Sequence, residues 1–173
     1  EVLLSGGDPL SLATAKLAEL TDALRELPHV RRLRLHTRLP IVLPERVDAE
    51  LTGWLASLPW PVAIVVHANH ANEFDASVDA AMRDLRATGA TLLNQAVLLR
   101  GVNDDVDALA ALAERSFDAG VLPYYLHQLD RVAGAAHFEV ADGTALARHA
   151  ALVARQSGYL VPRLVREVAG DAS

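Results

Sequence analysis

Residues 62–73 read VAIVVHANHANE, and the change at His67 from five apolar residues to a polar cluster decides the predicted fold. A continuous apolar run of this length, rich in valine, is typical of a parallel strand that is buried on both faces. The polar residues then follow the point where that strand ends. A chain that repeats such units is expected to be an α/β protein with a parallel sheet.

The same unit recurs along the chain at intervals of about 30 residues, which is the length of one strand with its crossover helix. Amphipathic stretches separate the apolar runs, with capping residues such as Asp75 and Gly89 at their ends. We predict six strands alternating with five helices. The predicted strands are residues 2–4, 30–36, 62–66, 91–99, 121–126 and 159–165. The predicted helices lie near residues 12–27, 48–58, 75–89, 103–120 and 142–156.

Polar residues follow the carboxyl end of nearly every predicted strand. A doubly wound sheet would gather its functional residues at one switch point, whereas a barrel spreads them over many strand ends. The pattern therefore favours a single domain, residues 1–173, folded as a partial (β/α) barrel. It also predicts an enzyme whose site lies at the carboxyl face of the strands.

Composition excludes several classes of protein. The chain has 173 residues and a net charge of −6, without the basic stripe that a nucleic-acid-binding protein needs. It contains no run long enough to span a membrane and no signal peptide, so we expect a cytoplasmic protein. Cysteine is absent and Lys16 is the single lysine, which removes thiolate chemistry and restricts Schiff-base chemistry. The oligomeric state stays open, a homo-oligomer included.

Each strand-end cluster has a structural explanation beside the functional one. The glycine turn 5–8 (SGGD) can bring backbone and carboxylate groups to a ligand, or simply begin a helix. Arg38 can clamp a carboxylate or phosphate, or form a surface ion pair. Residues 67–73 can hydrogen-bond a cofactor, hold a metal through His67, His70 and Glu73, or form a turn network.

The later strand ends pose the same choice. Gln95, within an apolar strand, has to meet either a ligand or a neighbouring polar side chain. Asn103 and Asp104 are more simply helix caps. Strand alternation predicts that Tyr124 and Tyr125 lie on opposite faces. Asp130 and Glu167 lie where a carboxylate can meet a substrate ammonium group.

Six segments together resemble the radical S-adenosylmethionine lysine 2,3-aminomutases, and most closely the branch that supplies β-lysine for elongation factor P. The resemblance spans the whole chain. The segments are LLSGGDPL (3–10), RLRLHTRLPIVLPERV (32–47), HANHANE (67–73), NQAVLLRGVND (94–104), PYYLHQLDRVAGAAHF (123–138) and SGYLVPRLVRE (157–167).

This resemblance implies a partial barrel of the radical S-adenosylmethionine type, using S-adenosylmethionine, a [4Fe-4S] cluster and pyridoxal 5′-phosphate to convert L-lysine to (R)-β-lysine. Asp130 matches the residue that binds the ε-ammonium of the substrate, and Glu167 falls where a second aspartate is found. Position 127 carries histidine where the free-lysine enzymes have tyrosine, which points to the elongation-factor-P branch. Ser5, Gly6, Gly7 and Asp8 match the motif that binds the methionine amino group of S-adenosylmethionine. His67 and Gln95 match residues near its ribose and the pyridoxal site, and Arg38 matches a strand-end arginine near the same ligand.

The resemblance also places essential groups outside this sequence. The CxxxCxxC motif that binds the cluster is expected before Glu1, and the pyridoxal lysine is expected directly after Ser173. We therefore expect an internal piece of a longer protein that holds no metal itself and is inactive alone.

Two other functions remain open at this stage. One is a free-lysine or glutamate 2,3-aminomutase of other metabolism, although Asp130 would repel the side chain of glutamate. The other is a non-catalytic domain that binds S-adenosylmethionine.

Overall fold

A single six-stranded parallel sheet organises the chain in the computed structural model, which describes residues 1–130 and 134–166. The strands lie side by side in the order of the sequence, each hydrogen-bonded to the next. They are β1 (Val2–Leu4), β2 (Leu33–Thr37), β3 (Val62–Val66), β4 (Thr91–Leu98), β5 (Leu122–Gln128) and β6 (Arg163–Val165).

Helices connect the strands, and aspartates cap three of them. Asp48, Asp75 and Asp105 each accept hydrogen bonds from backbone N–H groups in the first turn that follows.

Among the described residues, no helix combines the length and the apolar character needed to cross a membrane. The helices are α1 (Thr14–Arg25), α2 (Leu39–Val42), α3 (Ala49–Ser57), α4 (Ala76–Ala87), α5 (Val106–Asp118) and α6 (Asp142–Arg155).

Sequential parallel order determines where the core lies. Because right-handed crossovers return each helix to the same side, one face of the sheet is covered by helices. That face buries Leu35, Ile64 and Leu126 against helix residues such as Leu17 and Met82. The predicted α/β fold is confirmed, and the strand order is consistent with a partial barrel. It lacks the reversal that a doubly wound sheet requires.

Three predicted boundaries differ most from the structure, and the short helix α2 is absent from the predicted set of five helices. β2 begins at Leu33 because Val30 instead closes the preceding turn through a hydrogen bond to the Leu27 carbonyl. Residues 158–160 form a 3₁₀ turn, and the last strand starts only after Pro162, which has no N–H to donate to a ladder. α5 is capped by Asp105, whereas Asn103 and Asp104 precede the cap.

A β-bulge in β5 overturns the predicted placement of the two tyrosines. Asn94 pairs with Pro123, but Gln95 pairs with Tyr125, so Tyr124 is an extra residue in the ladder. The rings of Tyr124 and Tyr125 therefore lie together, with centroids 3.8 Å apart, instead of pointing to opposite faces.

The buried face of β2 gives a direct test of this core. Leu35 is 1% exposed, and truncation to alanine is expected to lower the free energy of unfolding by about 2–5 kcal/mol, because it removes contacts and leaves a cavity. Leu146→Ala is the matched control, since Leu146 on α6 is 63% exposed. Urea unfolding of both variants measures the difference, and equal losses would contradict the assigned core.

Candidate functional site

The face of the sheet that the helices leave uncovered carries a set of polar side chains, and we call it the open face. These residues alternate along their strands with the buried residues of the helix-covered face. Arg34 and His36 come from β2, and His67 follows β3 directly. Gln95 comes from β4 and His127 from β5.

The glycine turn after β1 is held against the end of β2 by one carboxylate. Gly6 and Gly7 have φ of 87° and 131°, a backbone conformation that side chains disfavour. The two oxygens of Asp8 then accept hydrogen bonds from four donors. These are Leu10 N at 3.0 Å, Thr37 Oγ1 at 2.7 Å, Arg38 N at 2.7 Å and Leu39 N at 3.1 Å.

An ion pair continues this connection to the turn after β3. Arg38 Nη2 lies 3.0 Å from Glu73 Oε2, while Glu73 Oε1 accepts hydrogen bonds from the N–H groups of Asn69 and His70. His70 Nδ1 accepts a hydrogen bond from Asn72 N. Of the explanations for residues 67–73, these contacts support the turn network. In the described part of the chain, no three His, Asp or Glu side chains are grouped as metal ligands.

Three asparagine amides join this turn to β4. Asn94, buried on the helix-covered face, accepts from Ala68 N at 2.9 Å and donates to Ala68 O at 3.0 Å. Asn69 Oδ1 accepts from Val97 N, and the fully buried Asn103 donates to the carbonyls of Asn69 and Val97. The backbone on the carboxyl side of His67 is therefore tied to its neighbouring strand.

Two imidazoles meet on the open face. The rings of His36 and His67 meet edge to face, with centroids 5.7 Å apart. Burial, followed by the neighbouring His67 and Arg34, lowers the pKa of His36 to about 4. Burial also lowers the pKa of His67, although the nearby Asp8 carboxylate opposes that shift. Both rings are thus held neutral at pH 7.

Several polar atoms on this face are buried without a hydrogen-bond partner among residues 1–130 and 134–166. They are Arg34 Nε, His36 Nε2 and His67 Nε2. Since buried polar groups are normally paired, a ligand that reaches this face would find hydrogen-bonding groups prepared for it. The geometry suits a polar molecule better than a purely apolar one.

Aromatic side chains line the β5 side of the open face. Tyr125 lies 5.6 Å from His127 between ring centroids, and the Arg163 guanidinium lies 5.8 Å from the Tyr125 ring. The Tyr125 hydroxyl, together with burial, raises the pKa of Tyr124, so that phenol stays protonated at neutral pH.

The predicted site residues are placed unevenly. Asp8, Arg38 and His67 come together at adjacent strand ends, and Gln95 lies on β4 next to β3. Asp130 is exposed two residues beyond β5. Glu167 lies outside the described residues. The role of each residue toward a cofactor or substrate stays a prediction.

Sequence reasoning did not identify the roles of several residues that organise the site. Asn94 and Asn103 bond to backbone groups of other segments. Thr37 donates to the Asp8 carboxylate, and Glu73 pairs with the Arg38 guanidinium. Partners so far away in the sequence leave no mark in it. His36 had a usable signal, because it alternates with buried leucines on β2 and so has to face away from the helices.

Curated proteins of one name are similar to this chain along nearly all of its length. L-lysine 2,3-aminomutase of Escherichia coli (strain K12) is 50% identical over 173 residues, covering 100% of this chain and 51% of that protein. The Haemophilus influenzae protein of the same name is 48% identical over 171 residues, 99% of this chain and 51% of its own length. The Clostridium subterminale protein of that name is 38% identical over 170 residues, 98% of this chain and 41% of its own length.

The chain thus spans about half the length of the first two of these relatives. No family model matches it.

The amide pair between Asn94 and Ala68 predicts a large loss of stability on truncation. Asn94→Ala leaves the buried N–H and C=O of Ala68 without partners, which is expected to lower the free energy of unfolding by roughly 2 kcal/mol or more. Asn72→Ala, at an exposed position of the same turn, is the control and should change it little. Urea titration compares the two, and similar stabilities would show that the amide pair contributes nothing.

The lowered pKa of His36 predicts a dependence of stability on pH. Because the folded state favours the neutral ring, the contribution of His36 is present above about pH 6.5 and is lost as pH falls toward 4. Arg34, His67 and His127 favour the neutral ring and Glu1 opposes them. His36→Gln should flatten the fall in unfolding free energy between pH 6.5 and 4, whereas His29→Gln, at an exposed turn, should not. Parallel profiles for the parent and His36→Gln would contradict this assignment.

Proposed function

Because the chain belongs to the lysine 2,3-aminomutase family along all of its 173 residues, we propose that it forms the central part of an isomerase that converts L-lysine to (R)-β-lysine. The observation that carries the proposal is this similarity combined with the gathering of polar groups at one edge of the sheet. The amino group moves from the α-carbon to the β-carbon, so the product is an isomer of the substrate.

We propose that the enzyme uses three cofactors. S-adenosylmethionine together with a [4Fe-4S] cluster would supply radical chemistry for removing a hydrogen atom from lysine, and pyridoxal 5′-phosphate would hold the migrating nitrogen.

The open face suits S-adenosylmethionine. The exposed glycine turn beside it, Ser5 to Gly7, offers backbone groups to the methionyl part, while His67 follows β3 and Gln95 lies on β4. The unpartnered Nε2 atom of His67 is free to bond a hydroxyl or ring nitrogen of such a ligand. Arg38, half of whose side chain is exposed although it pairs with Glu73, stays within reach of a carboxylate.

The residues present do not fit the other two cofactors. This sequence contains no cysteine to bind a cluster. Its only lysine, Lys16, is exposed on α1 and paired with Glu19 at 2.7 Å, so it is not placed for a Schiff base. The proposal therefore assigns the cluster ligands and the pyridoxal lysine to segments outside these residues, and we propose that this segment alone is inactive.

The chain also supplies an environment suited to radical chemistry. Val65, Leu93 and Val97 alternate with helix-facing residues and place aliphatic side chains between the polar groups of the open face. Such a wall limits the access of water to a reactive carbon.

Asp130 is proposed to bind the ε-ammonium of lysine. Its carboxylate lies just beyond β5 at the carboxyl edge of the sheet, and it is exposed and so accessible to a cation. A second anion at Glu167 would recognise the same group, and that assignment falls outside the described residues.

We propose that the β-lysine serves the modification of elongation factor P. Support comes from the sequence resemblance and from His127, which faces the open side beside Tyr125 where the free-lysine enzymes carry tyrosine. A free-lysine aminomutase of other metabolism is the alternative within enzymes, and a non-catalytic S-adenosylmethionine-binding domain is the alternative outside them.

The reaction itself is tested with the full-length protein that contains this segment, reconstituted with iron, sulfide and pyridoxal phosphate under anaerobic conditions. Addition of S-adenosylmethionine, dithionite and labelled L-lysine is expected to yield (R)-β-lysine, and omission of dithionite should abolish the product. Binding of S-adenosylmethionine without turnover would favour the non-catalytic domain. Transfer of the product to elongation factor P by a purified ligase would support the proposed branch.

Asp130→Asn tests the substrate contact within that assay. Loss of one charge-assisted hydrogen bond is expected to lower kcat/KM for lysine by about 10- to 100-fold, mainly through KM. Asp118→Asn removes the same charge from an exposed position at the end of α5 and should leave kcat/KM unchanged. An Asp130→Asn enzyme with the kinetics of the parent would remove Asp130 from the site.

A further inference from the structure

We infer that the Asp8 carboxylate is a positioning group that holds the glycine turn against β2, and that it does not itself bind the ligand ammonium. This inference rests on the proposed function, because it concerns the proposed S-adenosylmethionine-binding turn. It assigns Asp8 a role different from the one that the sequence resemblance implies.

The capacity of the carboxylate carries the inference. An ionised carboxylate has two oxygens with about four positions for hydrogen bonds. Oδ1 of Asp8 accepts from Leu10 N and Thr37 Oγ1, and Oδ2 accepts from Arg38 N and Leu39 N. An ammonium group could bond to Asp8 only by displacing one of these donors.

The donors also explain why a carboxylate is needed. Leu10 N belongs to the first turn of the 3₁₀ segment Pro9–Ser11, and Arg38 N and Leu39 N belong to the start of α2. N–H groups at such starts have no partner within their own segment. One anion thus satisfies the starts of two segments that lie 30 residues apart in sequence.

Thr37 also takes part in the hydrogen bonds around Asp8. Its side chain is 1% exposed, and its hydroxyl donates to Asp8 Oδ1 at 2.7 Å and accepts from Leu39 N at 3.2 Å. Thr37 therefore acts on the turn only through Asp8 and α2. This offers a way to disturb the position of Asp8 without removing its charge.

The consequence for the site is a division of roles. With Asp8 engaged, the exposed backbone of Gly6 and Gly7 is the part of the turn that can meet a cation, through carbonyl oxygens. The same carboxylate fixes the backbone of Arg38, whose side chain reaches Glu73 in the next turn. Asp8 thereby sets the spacing between the turns that follow β1, β2 and β3.

The experiment compares Asp8→Asn, Thr37→Val and the charge-matched control Asp118→Asn in the full-length reconstituted protein. Calorimetry measures the dissociation constant of S-adenosylmethionine. Hydrogen–deuterium exchange, without ligand, measures protection of the Arg38 and Leu39 amides. A positioning role predicts faster exchange at both amides in both variants. It also predicts affinity about 3- to 10-fold weaker in Thr37→Val and weaker still in Asp8→Asn, with the control unchanged.

Three outcomes would overturn the inference. Weak binding by Asp8→Asn with parental exchange and with parental affinity in Thr37→Val would make Asp8 a direct ligand contact. Faster exchange with parental affinity in Thr37→Val would show that the turn needs no such support. A further variant, Asp8→Glu, keeps the charge but has a longer side chain that cannot keep all four hydrogen bonds. Parental affinity of Asp8→Glu for S-adenosylmethionine would therefore also overturn the inference.

Failure of the proposed function gives a different result. If the unaltered protein does not bind S-adenosylmethionine, the proposed cofactor is wrong. Parental exchange at Arg38 and Leu39 in Asp8→Asn would then independently reject the positioning role, whereas faster exchange would retain the connection between the turn and β2. Should Asp8→Asn fail to fold, Thr37→Val alone still separates the outcomes.

Discussion

A continuous run of hydrogen bonds across the carboxyl ends of β1 to β4 is the constraint on which the candidate site depends. Asp8 accepts a hydrogen bond from Arg38 N, and the Arg38 guanidinium pairs with Glu73. Glu73 accepts from Asn69 N, and the Asn69 side-chain oxygen accepts from Val97 N of β4. Turns that follow separate strands would otherwise move independently. Since each group in the run holds the backbone of the next turn, the open face acquires a defined geometry before any ligand arrives.

This run of hydrogen bonds contributes more to the stability of the fold than its surface ion pair does alone. The Arg38 side chain is 49% exposed, and an isolated pair of this kind contributes little to stability. By contrast, the buried amide of Asn94 pairs with backbone groups of the fully buried Ala68, and the buried Asn103 amide pairs with carbonyls that are partly buried. Removing them would leave unpaired polar groups in the core, which is costly. Buried asparagines behind the sheet therefore hold in place the turns at the edge of the open face.

The open face combines this rigidity with neutral nitrogen groups. Burial keeps His36 and His67 uncharged, so each ring can either donate or accept a hydrogen bond. The bulge in β5 adds both Tyr124 and Tyr125 to the surroundings of the same site, which regular alternation would have prevented.

The sequence by itself determined the order of strands and helices, since apolar runs, capping aspartates and glycines act over a few residues and can be recognised locally. It also located Asp8, Arg38 and His67 at strand ends and Gln95 within a strand. Only the tertiary structure decided which donors surround Asp8, that Asn103 clamps backbone instead of capping a helix, and that Tyr124 shares a side with Tyr125. Those outcomes depend on strand register and on contacts between residues about 30 positions apart, and a pattern read along one chain contains neither.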